Sequence, residues 1–203
     1  MAMRLQEVHP SLVHYPLAFH PLAVVSDALG YLTGSRRLMQ AGRWAGLLAA
    51  ASAAAAGTAG LIAQEEVTAE GEARDLLVTH RTINMTATLT IALLAAWRWR
   101  RRAPTPASLA IGAVGLGAMA YSAYLGGKMV YEHGVGVLPA LGVKPGRGKE
   151  LRPGELAEAA ADAAAEIPAG VKHAAADAAR GDFVPHVTNG RERDREPGDE
   201  VGY

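Results

Sequence analysis

The chain has 203 residues, half of them hydrophobic, and its 20 acidic and 20 basic side chains cancel in charge. The lack of cysteine excludes disulfides, thiolate zinc sites, cysteine-held iron–sulfur clusters and covalently attached c-type haem. Zero net charge argues against a nucleic-acid-binding protein, whose usual footprint is a basic surface. By length the chain is one domain, or one domain and a tail.

Four apolar segments alternate with short charged loops, and each is about long enough to cross a bilayer as a helix. The segments cover approximately residues 12–32, 44–63, 82–99 and 107–126. Buried helices of an alanine-rich soluble bundle are the alternative, but four such long runs in one chain favour membrane helices. We therefore predict an all-α fold, an integral membrane four-helix bundle that occupies residues 1–138.

The loops between these segments separate charges by sign. The first loop, TGSRRLMQAGR, and the third loop, RWRRRAPTP, hold arginines and no acid, whereas the second loop, QEEVTAEGEARD, holds five acids and one arginine. Cytoplasmic loops of membrane proteins carry an excess of basic residues. The pattern predicts a multi-pass protein of the cell (inner) membrane with both termini on the extracytoplasmic side.

Residues 139–203 form a second region of different composition. A Pro- and Gly-rich charged linker precedes an alanine-rich stretch, ELAEAAADAAAEIPAGVKHAAADAAR, which favours helix but is expected to break at residues 168–170. The last stretch, NGRERDREPGDEVGY, mixes opposite charges with little apolar content. This region is therefore predicted to be a polar tail, partly helical and partly disordered. Its histidines, His173 and His186, are expected to have no specific role.

Four histidines from three segments lie at one predicted face of the membrane. His9 and His14 stand at the start of the first apolar segment, His80 at the start of the third, and His133 just beyond the fourth. Imidazole is a common ligand for zinc, copper and iron. The arrangement predicts a metal site made of His9, His14, His80 and His133 at this outer face.

The first segment carries prolines and ionisable side chains inside its span. Pro16 and Pro21 each remove a backbone donor and displace the carbonyl four residues earlier, so those carbonyls need partners inside the protein. His20 and Asp27 are two turns apart and share a helix face, and ionisable residues inside a span indicate function. The alternative is that Asp27 lies near the cytoplasmic end, where it is hydrated or contacts Arg43.

Polar stripes mark the third and fourth segments. His80 and Asn84 are one turn apart and should face the bundle interior. Tyr124 and Tyr131 share the outer half of the fourth helix, where tyrosines are also ordinary members of an interfacial aromatic belt. If the bundle holds a cofactor, the residues expected to bind it are His14, His80, Asn84, Tyr124 and Tyr131.

The segments HPSLVHYPLAFHPLAVVSDAL, HRTIN and YLGGKMVYEHGVGV resemble motifs of a bacterial family of predicted four-helix membrane proteins of unknown function. Members typically open with HPxxVHFP and close with LGGxLVYxxGVGV, and the similarity covers about residues 7–138. The resemblance places the family's histidines at His9, His14, His80 and His133. Members fused to Rieske-type or cytochrome-type domains imply a role near electron transfer, with the redox partner of this cysteine-free chain on a separate protein.

Three hypotheses follow for the histidines. The first is a b-type haem, held non-covalently between facing helices of an electron-transfer component, and the second is another histidine-bound metal. The third is a non-catalytic structural or partner-binding membrane protein, whose histidines stabilise proline-kinked helix ends. The sequence contains no nucleophile–base pair or phosphate-binding loop, so we do not expect an enzyme. The expected partners are the lipid bilayer, a separate redox protein and a second copy of the chain, with no nucleic acid.

Overall fold

The computed structural model describes residues 4–137, 143 and 153–181, and these residues form helices joined by short turns. The helices are α1 (Leu5–Leu12), α2 (His14–Thr33), α3 (Arg36–Glu66), α4 (Gly71–Arg100), α5 (Pro106–His133) and α6 (Leu156–Ala179), and a 3-10 turn at Pro153–Glu155 leads into α6. No strand occurs in these ranges, where Val67 and Val143 form an isolated bridge. The predicted all-α fold is confirmed for this part of the chain.

Local sequence signals set the ends of the long helices. Gly34 ends α2 with φ +68°, and the Ser35 hydroxyl accepts a hydrogen bond from the Leu38 N–H at the start of α3. The Thr105 side chain caps α5 in the same way, and Gly134 ends that helix with φ +64°. Because the turns are short, consecutive long helices are antiparallel neighbours.

Helix α3 lies at the centre of the bundle. It packs against α1, α2, α4 and α6, while α5 packs against α2 and α4. The buried positions of α3 are occupied by small side chains, among them Ala45, Ala49, Ala53 and Ala56. Small residues let helix backbones approach closely, which is how helices associate in lipid.

Large apolar side chains cover the outside of the bundle. More than half of the side chain is exposed at Leu22, Leu32, Leu89, Leu93 and Val114. A soluble protein rarely exposes so much apolar surface, whereas a bilayer solvates it. Two helices, Arg36–Glu66 and Pro106–His133, are long and apolar enough to cross a membrane. Membrane crossing by α2 and α4, and hence the count of four spans, stays a prediction.

The N-terminal segment is divided into two helices. Val13 separates α1 from α2, so His9 lies on a short helix of its own. Helix α1 packs mainly against α3 and only slightly against α2. As a result, His9 and His14 are presented to different surroundings although they are five residues apart.

A buried ion pair joins α2 to α4. Arg98 Nε and Nη2 lie 2.6 and 2.7 Å from the two carboxylate oxygens of Asp27, and the residues are 4% and 8% exposed. Arg98 also donates to the carbonyls of Arg101 and Met39. Gly42 of α3 faces the carboxylate and leaves no room there for a Cβ. Arg98 therefore links α2, α3 and the end of α4.

The tail helix α6 packs against α3 and α4. The break predicted at residues 168–170 is wrong, because α6 continues through Pro168 and Gly170. A Cβ at Gly170 would come within 2.6 Å of the Leu61 carbonyl oxygen of α3. Close packing on α3 thus supports the helix where its own sequence is least helical.

A cluster of charges fixes the far end of α6. Asp177 is 5% exposed and accepts hydrogen bonds from Arg74, at 3.0 Å, and from Arg81, both on α4. Arg180 contacts the same carboxylate. Burial raises the pKa of the Asp177 carboxyl, but the hydrogen bond and charge of Arg81, with Arg74 and Arg180, outweigh burial and hold this pKa below its usual value.

Of the two tail histidines, His173 lies on α6, and its Nδ1 is 2.9 Å from Glu65 Oε1 on α3. The expectation that His173 has no specific role stays a prediction. His186, and the terminal stretch predicted to be disordered, lie outside the described residues.

Asp27→Asn should lower the free energy of unfolding by about 3–5 kcal/mol, because it leaves the Arg98 guanidinium buried without its counter-charge. Adding Arg98→Gln should cost much less than the sum of the two single losses, since the partners are coupled. Denaturation of the detergent-purified protein, followed by circular dichroism, measures these free energies. Arg36→Gln, at an exposed arginine near the same end, is the matched control and should change little. Additive losses would contradict the pairing.

Asp177→Asn should release α6 at neutral pH, because it removes the charge that Arg74 and Arg81 bind, at a cost of about 1.5–3 kcal/mol. The folded-state pKa of Asp177 is lowered, so its stabilising effect is complete above the ordinary pKa of 3.8 and is lost as the pH falls through the folded value. Wild-type α6 should therefore stay docked at neutral pH and be released only in acid.

Spin labels measure this release directly, since the chain has no cysteine of its own. Labels on Ala54→Cys in α3 and Ala175→Cys in α6 occupy exposed positions and report the distance between the helices. Asp162→Asn is the matched control because Asp162 is an exposed carboxylate of the same helix. An unchanged distance in Asp177→Asn at neutral pH would show that these charges do not hold α6.

Candidate cofactor site

His9 is held by α1 against the C-terminal half of α3. Its Nδ1 donates to the carbonyl oxygen of Ala56 at 2.8 Å. The ring lies beside Gly60, where a Cβ would come within 3.1 Å of two ring atoms. Gly60 therefore provides the space that the imidazole occupies.

His80 occupies a similar position between α4 and α5. Its Nδ1 lies 2.9 Å from the carbonyl oxygen of Ser122 and 3.0 Å from the hydroxyl of the same residue. Asn84 Nδ2 donates to the Ser122 hydroxyl at 2.6 Å and to the His80 carbonyl at 2.8 Å. A Cβ at Gly126 would lie 3.2 Å from Cε1 of the ring. The His80 ring is thus oriented by α5 on one side and by its own helix on the other.

The imidazoles of His9 and His80 lie next to each other. Their ring centroids are 6.2 Å apart and their planes are inclined at 88°. A carbonyl oxygen only accepts hydrogen bonds, so each Nδ1 that donates to one carries a proton, and in the neutral ring Nε2 then keeps its lone pair. The two rings therefore have a defined tautomer in which Nε2 is the nitrogen that can bind a metal.

Other predicted site residues lie elsewhere. His14 is exposed, and its Nδ1 is 3.4 Å from the carbonyl of Ser11. Tyr124 and Tyr131 are 63% and 90% exposed, which suits an aromatic belt at the membrane surface. His133 is half-buried near the end of α5, and its Nε2 has no hydrogen-bond partner within the described residues.

The structure brings together His9, His80 and Asn84 from the predicted set. It does not bring His14, Tyr124 or Tyr131 to them. Within residues 4–137, 143 and 153–181, no three or more His, Cys, Asp or Glu side chains are grouped to hold a metal ion. What the bundle assembles from the predicted residues is a histidine pair, which we call the His9–His80 pair.

Sequence reasoning missed the residues that orient this pair. Ser122 accepts hydrogen bonds from His80, at its carbonyl, and from Asn84, at its hydroxyl. The Ala56 carbonyl accepts one from His9. A backbone carbonyl has no sequence signal, and a single serine in an apolar helix has a weak one. Gly126 belongs to the closing motif, YLGGKMVYEHGVGV, and a glycine in such a motif indicates that another group packs closely against the helix.

A second polar position lies further along α2. His20 is 2% exposed, and its Nε2 is 3.1 Å from the Gly112 carbonyl oxygen. His20, Asp27 and Arg98 line a cavity of about 30 Å³, enough for a water molecule. The prediction that His20 and Asp27 share a face is confirmed. The interpretation that Asp27 contacts Arg43 is wrong, because its carboxylate is bound by Arg98.

Comparison with known proteins places the chain in a family. A family model described as a predicted membrane protein (DUF2231) matches residues 6–139, about two thirds of the chain. No curated protein and no solved structure matches it. The matched residues contain α1 except Leu5 and all of α2 to α5, and with them the His9–His80 pair and the Asp27–Arg98 ion pair. The chain therefore belongs to the DUF2231 family of predicted membrane proteins.

Proposed function

We propose that this membrane protein binds a b-type haem through the His9–His80 pair and is a component of electron transfer. The observation that carries the proposal is the placement of two imidazoles 6.2 Å apart on separate helices, each with Nδ1 bonded to a carbonyl. Non-covalent haem suits a chain without cysteine. Its redox partner would be a separate protein.

The separation of the rings supports ligation of one iron by both histidines. A metal–nitrogen bond of about 2.0–2.1 Å puts two opposed Nε2 atoms about 4 Å apart, and each ring adds about 1 Å to its centroid. The expected centroid separation is thus about 6 Å, close to the 6.2 Å between His9 and His80. The perpendicular planes are compatible with this ligation, because an imidazole can turn about its metal–nitrogen bond.

Hydrogen bonds behind the rings support the same role. Histidines that bind metals usually donate their second ring N–H to a carbonyl or carboxylate, which fixes the ring and raises its basicity. Ala56 and Ser122 supply these carbonyls. The glycines beside the rings, Gly60 and Gly126, let the imidazoles lie close against the backbones of α3 and α5, which would hold the rings in place for a ligand.

The number of histidines favours haem over another metal. A haem that takes both of its iron ligands from the protein would need two side chains, and His9 and His80 would supply them. Mononuclear zinc and copper sites usually draw three or more protein ligands. A haem bound here would supply one-electron chemistry, while the chain itself would hold and orient the two imidazoles.

A structural role is the second candidate, and the same hydrogen bonds favour it. The bond from His9 to Ala56 ties α1 to α3, and the bond from His80 to Ser122 ties α4 to α5. In this case the histidines link separate helices, rather than bonding the carbonyls displaced by the prolines of α2. The two candidates differ in one property, which is whether the purified protein is coloured.

The wild-type protein, expressed with ample haem and purified in detergent, should show a Soret band and a reduced-minus-oxidised difference spectrum. His9→Ala and His80→Ala should each lower the haem content at least about tenfold, because each removes an axial ligand. His80→Met should bind haem with a shifted spectrum, since a thioether can replace an imidazole as axial ligand. Haem per protein is measured by the pyridine haemochrome assay.

His14→Ala is the matched control, because His14 is exposed and near the pair in sequence. It should keep the wild-type spectrum. Circular dichroism and gel filtration establish that each variant is folded. A colourless wild-type protein, or a folded His9→Ala or His80→Ala variant with an unchanged spectrum, would overturn the haem proposal. Lower thermal stability of those variants in a colourless protein would then favour the structural role.

A further inference from the structure

The turns between α2 and α3 and between α4 and α5 lie side by side at the end of the bundle away from the His9–His80 pair. Arg43 of α3 donates to the Trp99 carbonyl at 3.1 Å, and Arg98 of α4 donates to the Met39 carbonyl at 3.3 Å. These bonds join the flanks of the two turns into one surface. We call it the arginine face, and its exposed members are Arg36, Arg37, Arg100, Arg101 and Arg102.

The arginine face has positive charge that no acid in the described part of the chain neutralises. Asp27 is the sole acid in the sequence between Glu7 and Glu65, and no acid occurs between Asp75 and Glu132. The Asp27 carboxylate is already bound by a buried arginine. None of the five exposed arginines forms an ion pair within the described residues. The face is therefore strongly basic in a chain whose total charge is zero.

Tryptophans lie directly beside the arginine face. Trp44 and Trp99 are 52% and 46% exposed and meet edge to face, with ring centroids 5.2 Å apart. The Arg43 guanidinium lies 4.8 Å from the centre of the Trp99 ring, and that of Arg101 lies 6.0 Å from Trp97. Tryptophan concentrates at the membrane–water interface, where the lipid headgroups are. Tryptophans at these positions therefore indicate that the neighbouring arginines are within reach of lipid phosphates.

We propose that the arginine face binds the headgroup of an anionic phospholipid. Guanidinium groups bind phosphate oxygens through paired, charge-assisted hydrogen bonds. Clusters of about four to eight basic residues next to a membrane helix attract anionic lipids. Leu32, 77% exposed just before the α2–α3 turn, offers apolar surface for the acyl chains. Basic loops also influence which way membrane helices are oriented. Lipid binding is a separate property of these arginines.

Native mass spectrometry of the full-length, detergent-purified protein tests this proposal. The protein is incubated with equal amounts of phosphatidylglycerol and phosphatidylcholine, and the retained lipid is counted. Wild-type protein should retain phosphatidylglycerol at least about tenfold more than phosphatidylcholine, and Arg36→Gln should reduce this preference about fivefold, the factor for one basic residue at a membrane surface. Replacement of all five exposed arginines by glutamine should abolish the preference.

Matched variants separate lipid binding from general charge and from misfolding. Lys149→Gln with Lys172→Gln removes two tail cations and should leave the preference unchanged. Arg36→Lys with Arg37→Lys keeps the charge and should retain most of it. Equal retention of both lipids by wild-type protein, or the same loss in the tail variant, would overturn the proposal. Displacement of the phosphatidylglycerol by inorganic phosphate would also overturn it and assign the face to the free anion.

Discussion

Polar groups buried between apolar helices need hydrogen-bond partners within the protein, and this constraint accounts for the main interhelical links of the chain. His9, His20 and His80 each pair with a carbonyl on another helix, and Arg98 pairs with Asp27. Apolar side chains gain little from each other in lipid, because the acyl chains are equally apolar. Close contact of small residues on α3 and a few polar links are therefore what hold this bundle in one arrangement.

The same links give the two ends of the bundle different chemistry. At one end the carbonyls of Ala56 and Ser122 hold two imidazoles whose ring centroids lie 6.2 Å apart. At the other end the buried Arg98 binds the Asp27 carboxylate. The exposed arginines of the turns therefore have no acidic partner in the described part of the chain. The tail helix α6 is linked to α4 through Asp177, at the end of the bundle that carries the histidines.

Features that depend on local sequence could be predicted, and features that depend on helix rotation could not. The apolar lengths and the alternation of charged loops predicted the long helices and placed His9 and His80 at one end. The partner of Asp27 is 71 residues away, and no local pattern fixes how α4 turns toward it. Pro168 signals a helix break, but docking of α6 on α3 overrides that preference. His9, and not His14, lies next to His80, because the helix break at Val13 places His9 on a separate short helix.

We propose that His9 and His80 bind one iron together. Near-infrared magnetic circular dichroism of the oxidised, detergent-purified protein tests it most directly, because the energy of the charge-transfer band identifies the axial ligands of a haem. We expect a low-spin haem with two imidazole ligands in the wild-type protein, and loss of that signature in both His9→Ala and His80→Ala. A haem with one histidine ligand, or a folded protein that binds no haem, would contradict it.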